Sequence, residues 1–143
     1  MSEEKKALAL RAWEVVFNQR NLDALSEFYA PDALWHQPDQ DLRGLEEVKR
    51  WLARPFMAFP DLHVSVEDVV AEGDKVAIRY TSRGTHQGET GGLGSPTGRQ
   101  IELEGLAMQR FEGDKIAEFW DRFDTLSLLQ QLGLAPEQQR AAN

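Results

Sequence analysis

Cysteine is missing from the 143 residues, and its absence removes disulfides, thiolate metal sites and thiol nucleophiles together. Histidine is scarce. The three present have neither the i, i+4 spacing nor the neighbouring carboxylates of a zinc motif, so no metal is expected. Positive charge is also in short supply: 16 Lys and Arg stand against 24 Asp and Glu, a net charge of −8. That balance repels a phosphate backbone and an anionic bilayer alike, so neither nucleic acid nor membrane is an expected partner. Long apolar runs are lacking too, and the segment from Met1 to Trp13 is charged and amphipathic, unlike a secretory leader. A cytoplasmic protein is the expectation. The length suits one domain with one core, spanning 1–143 with the core over about 8–133 and a loose tail over 134–143.

What is present is strongly patterned. Ser2 can cap a first helix, with Glu3 and Glu4 at the positive end of its dipole. Leu10, Trp13 and Phe17 then recur at helical spacing up to Arg20-Asn21. Leu22 to Tyr29 reads as a short second helix ending at Ala30-Pro31, followed by a brief strand at Leu34-Trp35-His36. Leu45, Val48, Leu52, Phe56 and Phe59 mark a third helix, which Pro55 should kink because it lacks an N–H.

From Asp61 the period becomes two. Leu62, Val64, Val66 and Val70 share one face, and so do Val76, Ile78 and Tyr80. Further strands run over Arg99–Phe111 and Lys115–Phe123, and the sequences Glu72-Gly73-Asp74-Lys75 and Glu112-Gly113-Asp114-Lys115 read as two hairpin turns. Leu126 to Leu132 closes the domain as a helix. Three N-terminal helices followed by long antiparallel strands imply an α+β cone-shaped barrel, with the helices packed on a curved sheet around one pocket.

The chemistry concentrates on the inner face of that sheet. Gly105 and Ala107 share a face with Ile101 and Leu103, where small side chains leave room for a ligand. In the last strand Ala117, Phe119, Asp121 and Phe123 alternate onto one face, so a carboxylate stands between two phenylalanines. Desolvation there raises its pKa, which suits a general base or acid. The plainer alternative is a frayed, solvated Asp121, or one paired with an arginine such as Arg122 of a neighbouring chain. Asp124, just before Thr125-Leu126, reads as a helix cap.

His86 continues the Tyr80 face and His36 follows Trp35, so either could share a proton with Asp121. His63 reads as exposed. Trp35, Trp51, Tyr80, Phe119 and Phe123 are the candidate walls for a small apolar or aromatic substrate. Gln87 to Gln100 is rich in glycine but lacks the Gly-Lys-Ser/Thr ending of a phosphate loop, and reads either as a lip over the pocket mouth or as simple disorder. Glu102, Glu104, Leu106, Met108 and Arg110 form a mixed outer face that suggests a homodimer.

Several segments carry a family resemblance. They are Phe17-Asn18 with Leu22-Asp23, Trp35-His36-Gln37-Pro38 before Gly44, Phe59-Pro60-Asp61-Leu62, Arg83-Gly84-Thr85-His86-Gln87-Gly88, and Phe111-Glu112-Gly113-Asp114-Lys115-Ile116 running on to Trp120-Asp121 and Leu132-Gly133. In this order and spacing the chain resembles the SnoaL-like polyketide cyclases of the nuclear transport factor 2-like superfamily, over roughly Leu8 to Gly133. The resemblance implies a cone-shaped α+β barrel, usually dimeric, that needs neither metal nor organic cofactor. It also implies intramolecular aldol chemistry, with the acidic residue of the final strand, here Asp121, as general acid/base. One departure stands out: the histidine that some of these cyclases place in the preceding strand falls at Ala107.

Two other functions compete. Trp120-Asp121-Arg122-Phe123-Asp124 resembles the closing strand of limonene-type epoxide hydrolases, but their Arg-x-Asp pair is answered here by Arg79-Tyr80-Thr81, with threonine in place of the second carboxylate. The third reading is a non-catalytic dimeric protein that holds an apolar ligand.

Overall fold

The structure, a computed structural model, describes residues 2–89 and 95–134. Helix α1 (Ser2–Ala12) has Glu3 and Glu4 in its first turn and Arg11 in its last, and it runs directly into a π-helical turn, Trp13–Asn18. The cap expected of Ser2 concerns a side chain outside those described. Ala9, Ala12, Trp13, Val16 and Phe17 form the buried stripe, whereas Leu10, expected there, is exposed. Two alanines let the helix sit close to the sheet. Leu10 falls at the margin of a stripe centred on them.

A 3₁₀ turn (Leu22–Ala24) leads into α2 (Leu25–Phe28), after which the chain extends as β1 (Tyr29–His36). This strand begins earlier than expected because it takes in Ala30-Pro31. Its pairing is interrupted between Tyr29 and Leu34, and a proline without an N–H is accommodated in such a gap. β2 (Asp41–Arg43) folds back on β1, and α3 (Leu45–Ala58) follows with Val48 and Leu52 buried. The helix continues through Pro55 for three more residues.

The long strands are β3 (His63–Glu72), β4 (Lys75–Thr85), β5 (Gln100–Glu112) and β6 (Lys115–Phe123). Both Gly-Asp hairpins form as expected. Gly73 and Gly113 take φ of 62° and 63°, and a positive φ at the first loop residue alone is the mark of a type II′ turn. In β3 a bulge between Val66 and Asp68 shifts the register. Every residue beyond it changes face. Val69 therefore packs on the core, while Val70, expected inside, is 64 % exposed.

The strand order among the described residues is β2-β1-β6-β5-β4-β3, a curved sheet covered on its concave face by the helices. It differs from the expected sheet in two respects. β1 runs parallel to β6, so the sheet is mixed: no hairpin joins these two strands, and nothing local forces them antiparallel. β2 and β3 remain edges, so the cone is open. α4 (Thr125–Gln131) starts at Asp124, whose carboxylate accepts from the Ser127 N–H at 3.0 Å, the cap read from sequence. Gln131 then clamps the backbone N–H and C=O of Glu102 at 2.7 and 2.9 Å. Among the described residues no helix is long and apolar enough to cross a membrane. The lip expected over 87–100 includes residues 90–94, and the tail expected from 134 includes 135–143; both stretches lie outside the described residues.

Candidate active site

Strand alternation and the β-ladder together build the site. On the inner face Tyr80, Gly105 and Phe123 stand in one row across β4, β5 and β6, and Ile78, Ala107 and Asp121 stand in the next. Asp121 thus faces only a methyl group on its neighbouring strand. The Tyr80 ring lies across the gap at Gly105, and its hydroxyl donates to Asp121 Oδ1 at 2.6 Å.

The surroundings set the proton affinities. Burial pushes the Asp121 carboxyl up to about 6, against the opposing pull of the Tyr80 hydrogen bond and the Arg122 charge. Desolvation outweighs both. Burial, and then the charge of Asp121, hold the Tyr80 hydroxyl far above its ordinary value, so it stays a proton donor. The same two causes act in the same order on Tyr29, a fully buried residue of β1 whose hydroxyl has no hydrogen-bond partner among the described residues.

Asp121 opens on a cavity of about 130 Å³, a size close to that of engineered apolar cavities that take up one benzene ring. Its wall is largely aromatic. Trp13 and Phe17 come from the π-helical turn, Trp35 from β1, Trp51 and Phe56 from α3, and Phe119 and Phe123 from β6. Gln37 and Ser82 add polar groups, and the buried Gln37 Oε1 has no partner among the described residues.

Of the residues singled out in the sequence, Asp121, Trp35, Trp51, Tyr80, Phe119 and Phe123 meet at this cavity. Four others do not. Gly105 and Ala107 are buried on the inner face but leave no room for a ligand, because the Tyr80 ring fills the space above Gly105. His36 must face outward once Trp35 faces inward. Its ring bonds Asp41 at 2.9 Å and Glu118 at 2.7 Å and stacks on Trp120. His86 has the inward parity but lies past the end of β4, where its Nδ1 accepts from the Thr97 N–H at 3.2 Å. Phe59, 5.5 Å from the His86 ring, is the wall residue there.

Trp13, Phe17, Gln37 and Ser82 were not singled out as wall residues by the sequence. Gln37 continues the Trp35 alternation one step past the end of β1, a signal that stops at the strand's boundary. Arg79, the arginine of the epoxide-hydrolase reading, lies on the outer face and is bonded to Asp68 at 2.7 Å. It does not reach Asp121.

The model of the SnoaL-like polyketide cyclase family matches residues 7–132. The chain belongs to this family. Among solved structures, this SnoaL-like domain is similar to AclR, a proposed hydroxylase from Streptomyces galilaeus, at 30 % identity and a TM-score of 0.86, covering 99 % of this chain and 93 % of that one. It is also similar to IdmH, a proposed polyketide cyclase from Streptomyces antibioticus, at 35 % identity and a TM-score of 0.75, covering 87 % and 95 %. A SnoaL-like protein of Jannaschia sp. CCS1, 22 % identical with a TM-score of 0.87 over 95 % and 96 %, shares the fold. No curated protein matches the chain.

Proposed function

We propose that this SnoaL-like domain is an acid/base enzyme that closes a ring in a small, largely apolar carbonyl compound, with Asp121 moving the proton. The observation that carries the reading is a carboxyl group raised to about 6 on the wall of an aromatic cavity, held by a tyrosine that remains a donor. A base with that pKa is charged at neutral pH yet binds a proton strongly enough to take one from carbon beside a carbonyl. With Oδ1 held by Tyr80, Oδ2 takes the proton. The resulting enolate carbon bonds to a second carbonyl carbon of the same molecule, and the oxygen of that carbonyl receives the proton from Asp121. The sum is an aldol ring closure without a leaving group or cofactor. Gln37, with an oxygen in the wall that has no partner among the described residues, is suited to orient a polar group of the substrate.

We propose further that the domain acts as a homodimer joined through the outer face. Val70, Leu106 and Met108 are exposed there, among charged neighbours.

The proton-transfer step is tested without the natural substrate, by following deuterium uptake at the methyl carbon of acetophenone in heavy water. Exchange by the wild type is expected to rise with pH through about 6 and then level, and Asp121→Asn is expected to slow it by roughly 10²–10⁴-fold. Acetophenone bound in the cavity but exchanging equally in both proteins would reject the base and leave a protein that only binds.

A further inference from the structure

Gly105 sits in the middle of a 13-residue strand, where glycine is a disfavoured choice. Its φ is not positive, so the backbone does not call for it, and alanine at such a position ordinarily gains about 0.5–1 kcal/mol. The reason lies in what the missing side chain makes room for. A Cβ built at Gly105 would overlap Cζ and Oη of Tyr80 and come within 2.7 Å of its Cε2. These are the atoms at the tip of the ring, the part that reaches Asp121.

The ring has little freedom to move aside. Trp13 packs against it with centroids 5.0 Å apart, and Trp13 is itself tied to the buried Gln109 Oε1 at 3.1 Å. Phe123 stands on the other side of Gly105 in the same row. A methyl group at 105 therefore displaces the hydroxyl rather than the ring's neighbours.

We infer that Gly105 is a positioning residue: its bare Cα is the slot through which the Tyr80 hydroxyl reaches Asp121 and sets how tightly that carboxyl holds a proton. Two titratable residues act on Asp121, namely Tyr80 from β4 through its hydroxyl and Arg122 beside it on β6 through its charge and backbone N–H, while the buried Tyr29 of β1 stays neutral and itself responds to the Asp121 charge. Of these, Tyr80 donates directly to the carboxylate and lowers its proton affinity, so closing the slot raises it. The inference rests on the general-base reading only for its catalytic consequence, because the titration of Asp121 is measurable in the ligand-free protein.

The test is the NMR titration of the Asp121 carboxyl carbon in the wild type, Gly105→Ala, Tyr80→Phe and the double variant. Gly105→Ala is expected to move the midpoint upward by about one pKa unit, Tyr80→Phe by a similar amount, and the double variant no further than either. A merely structural glycine would lower the melting temperature and leave the midpoint where it is in the wild type, and that outcome overturns the inference. Should Gly105→Ala not fold, Gly105→Ala with Tyr80→Leu, in which the ring is gone, is expected to fold and to titrate as Tyr80→Leu alone. Failure of that pair to fold, or a difference between their midpoints, overturns it equally. Loss of the slot with deuterium exchange unaffected by Asp121→Asn would instead reject the base while leaving Gly105's role intact.

Discussion

Asp121 works against the stability of the fold that holds it. Its carboxyl is raised from 3.8 to about 6 on folding, so between those values the native chain binds a proton that the unfolded chain has released. Stability therefore falls as pH rises through about 4 to 6. At one pKa unit per 1.4 kcal/mol, the effect is on the order of 2–3 kcal/mol at neutral pH. Asp121→Asn, which carries no charge to desolvate, is expected to raise the melting temperature at pH 8 by roughly 5–10 °C and to change it little at pH 4. Equal shifts at both pH values would mean that the carboxyl is not held up by burial. This residue was legible in the sequence because alternation within one strand is local, and Phe119 and Phe123 flank it on the same face. The Tyr80 bond was not, since it depends on the register of three strands and on a gap at Gly105. The sequence also held a contradiction over His36: Trp35 and His36 are neighbours in a strand, and only one of them can face the cavity.

Among the elements, the parallel seam between β1 and β6 is where a long-range pairing has no turn to enforce it. His36 supports it from outside, bridging Asp41 on β2 and Glu118 on β6. Partial burial opposes the His36 cation, but the bonds to Glu118 and Asp41 prevail and raise its pKa above 6.5. The bond to His36, aided by Arg110, holds the Glu118 pKa down against desolvation. A raised histidine contributes stability below the unfolded value and loses it as pH climbs through the folded one. His36→Gln is thus expected to cost about 1 kcal/mol at pH 5.5 and much less at pH 9, measured by urea unfolding at both. A cost independent of pH would assign His36 to packing against Trp120 alone. Helix and strand periods made the elements readable, and the Gly-Asp turns fixed the two hairpins. The bulge in β3 carries no comparable signal, because Glu67 resembles any exposed strand residue, and Val70 was assigned to the wrong face for that reason.

For the whole molecule, moving Val70 outward completes a row that the sequence did not reveal. Val70, Ala77, Met108 and Trp120 align across β3, β4, β5 and β6 on the convex face, with Leu106 alongside. The monomer is 16.2 kDa, and sedimentation equilibrium of the wild type at micromolar concentration is expected to give twice that mass. Leu106→Asp with Met108→Asp is expected to return it to the monomer, and a wild type already monomeric at that concentration would remove the interface. The two irregularities that shape the inside and the outside are each a single surplus residue, the π-helical turn at Trp13–Asn18 and the bulge in β3. Asn18 ties them together through both backbone groups of Val64. Removing one residue from either would rotate or invert everything between it and the next turn. A change of length inside either element therefore disturbs more of the molecule than a change of side chain at its surface, and the loops are where extra residues are accommodated.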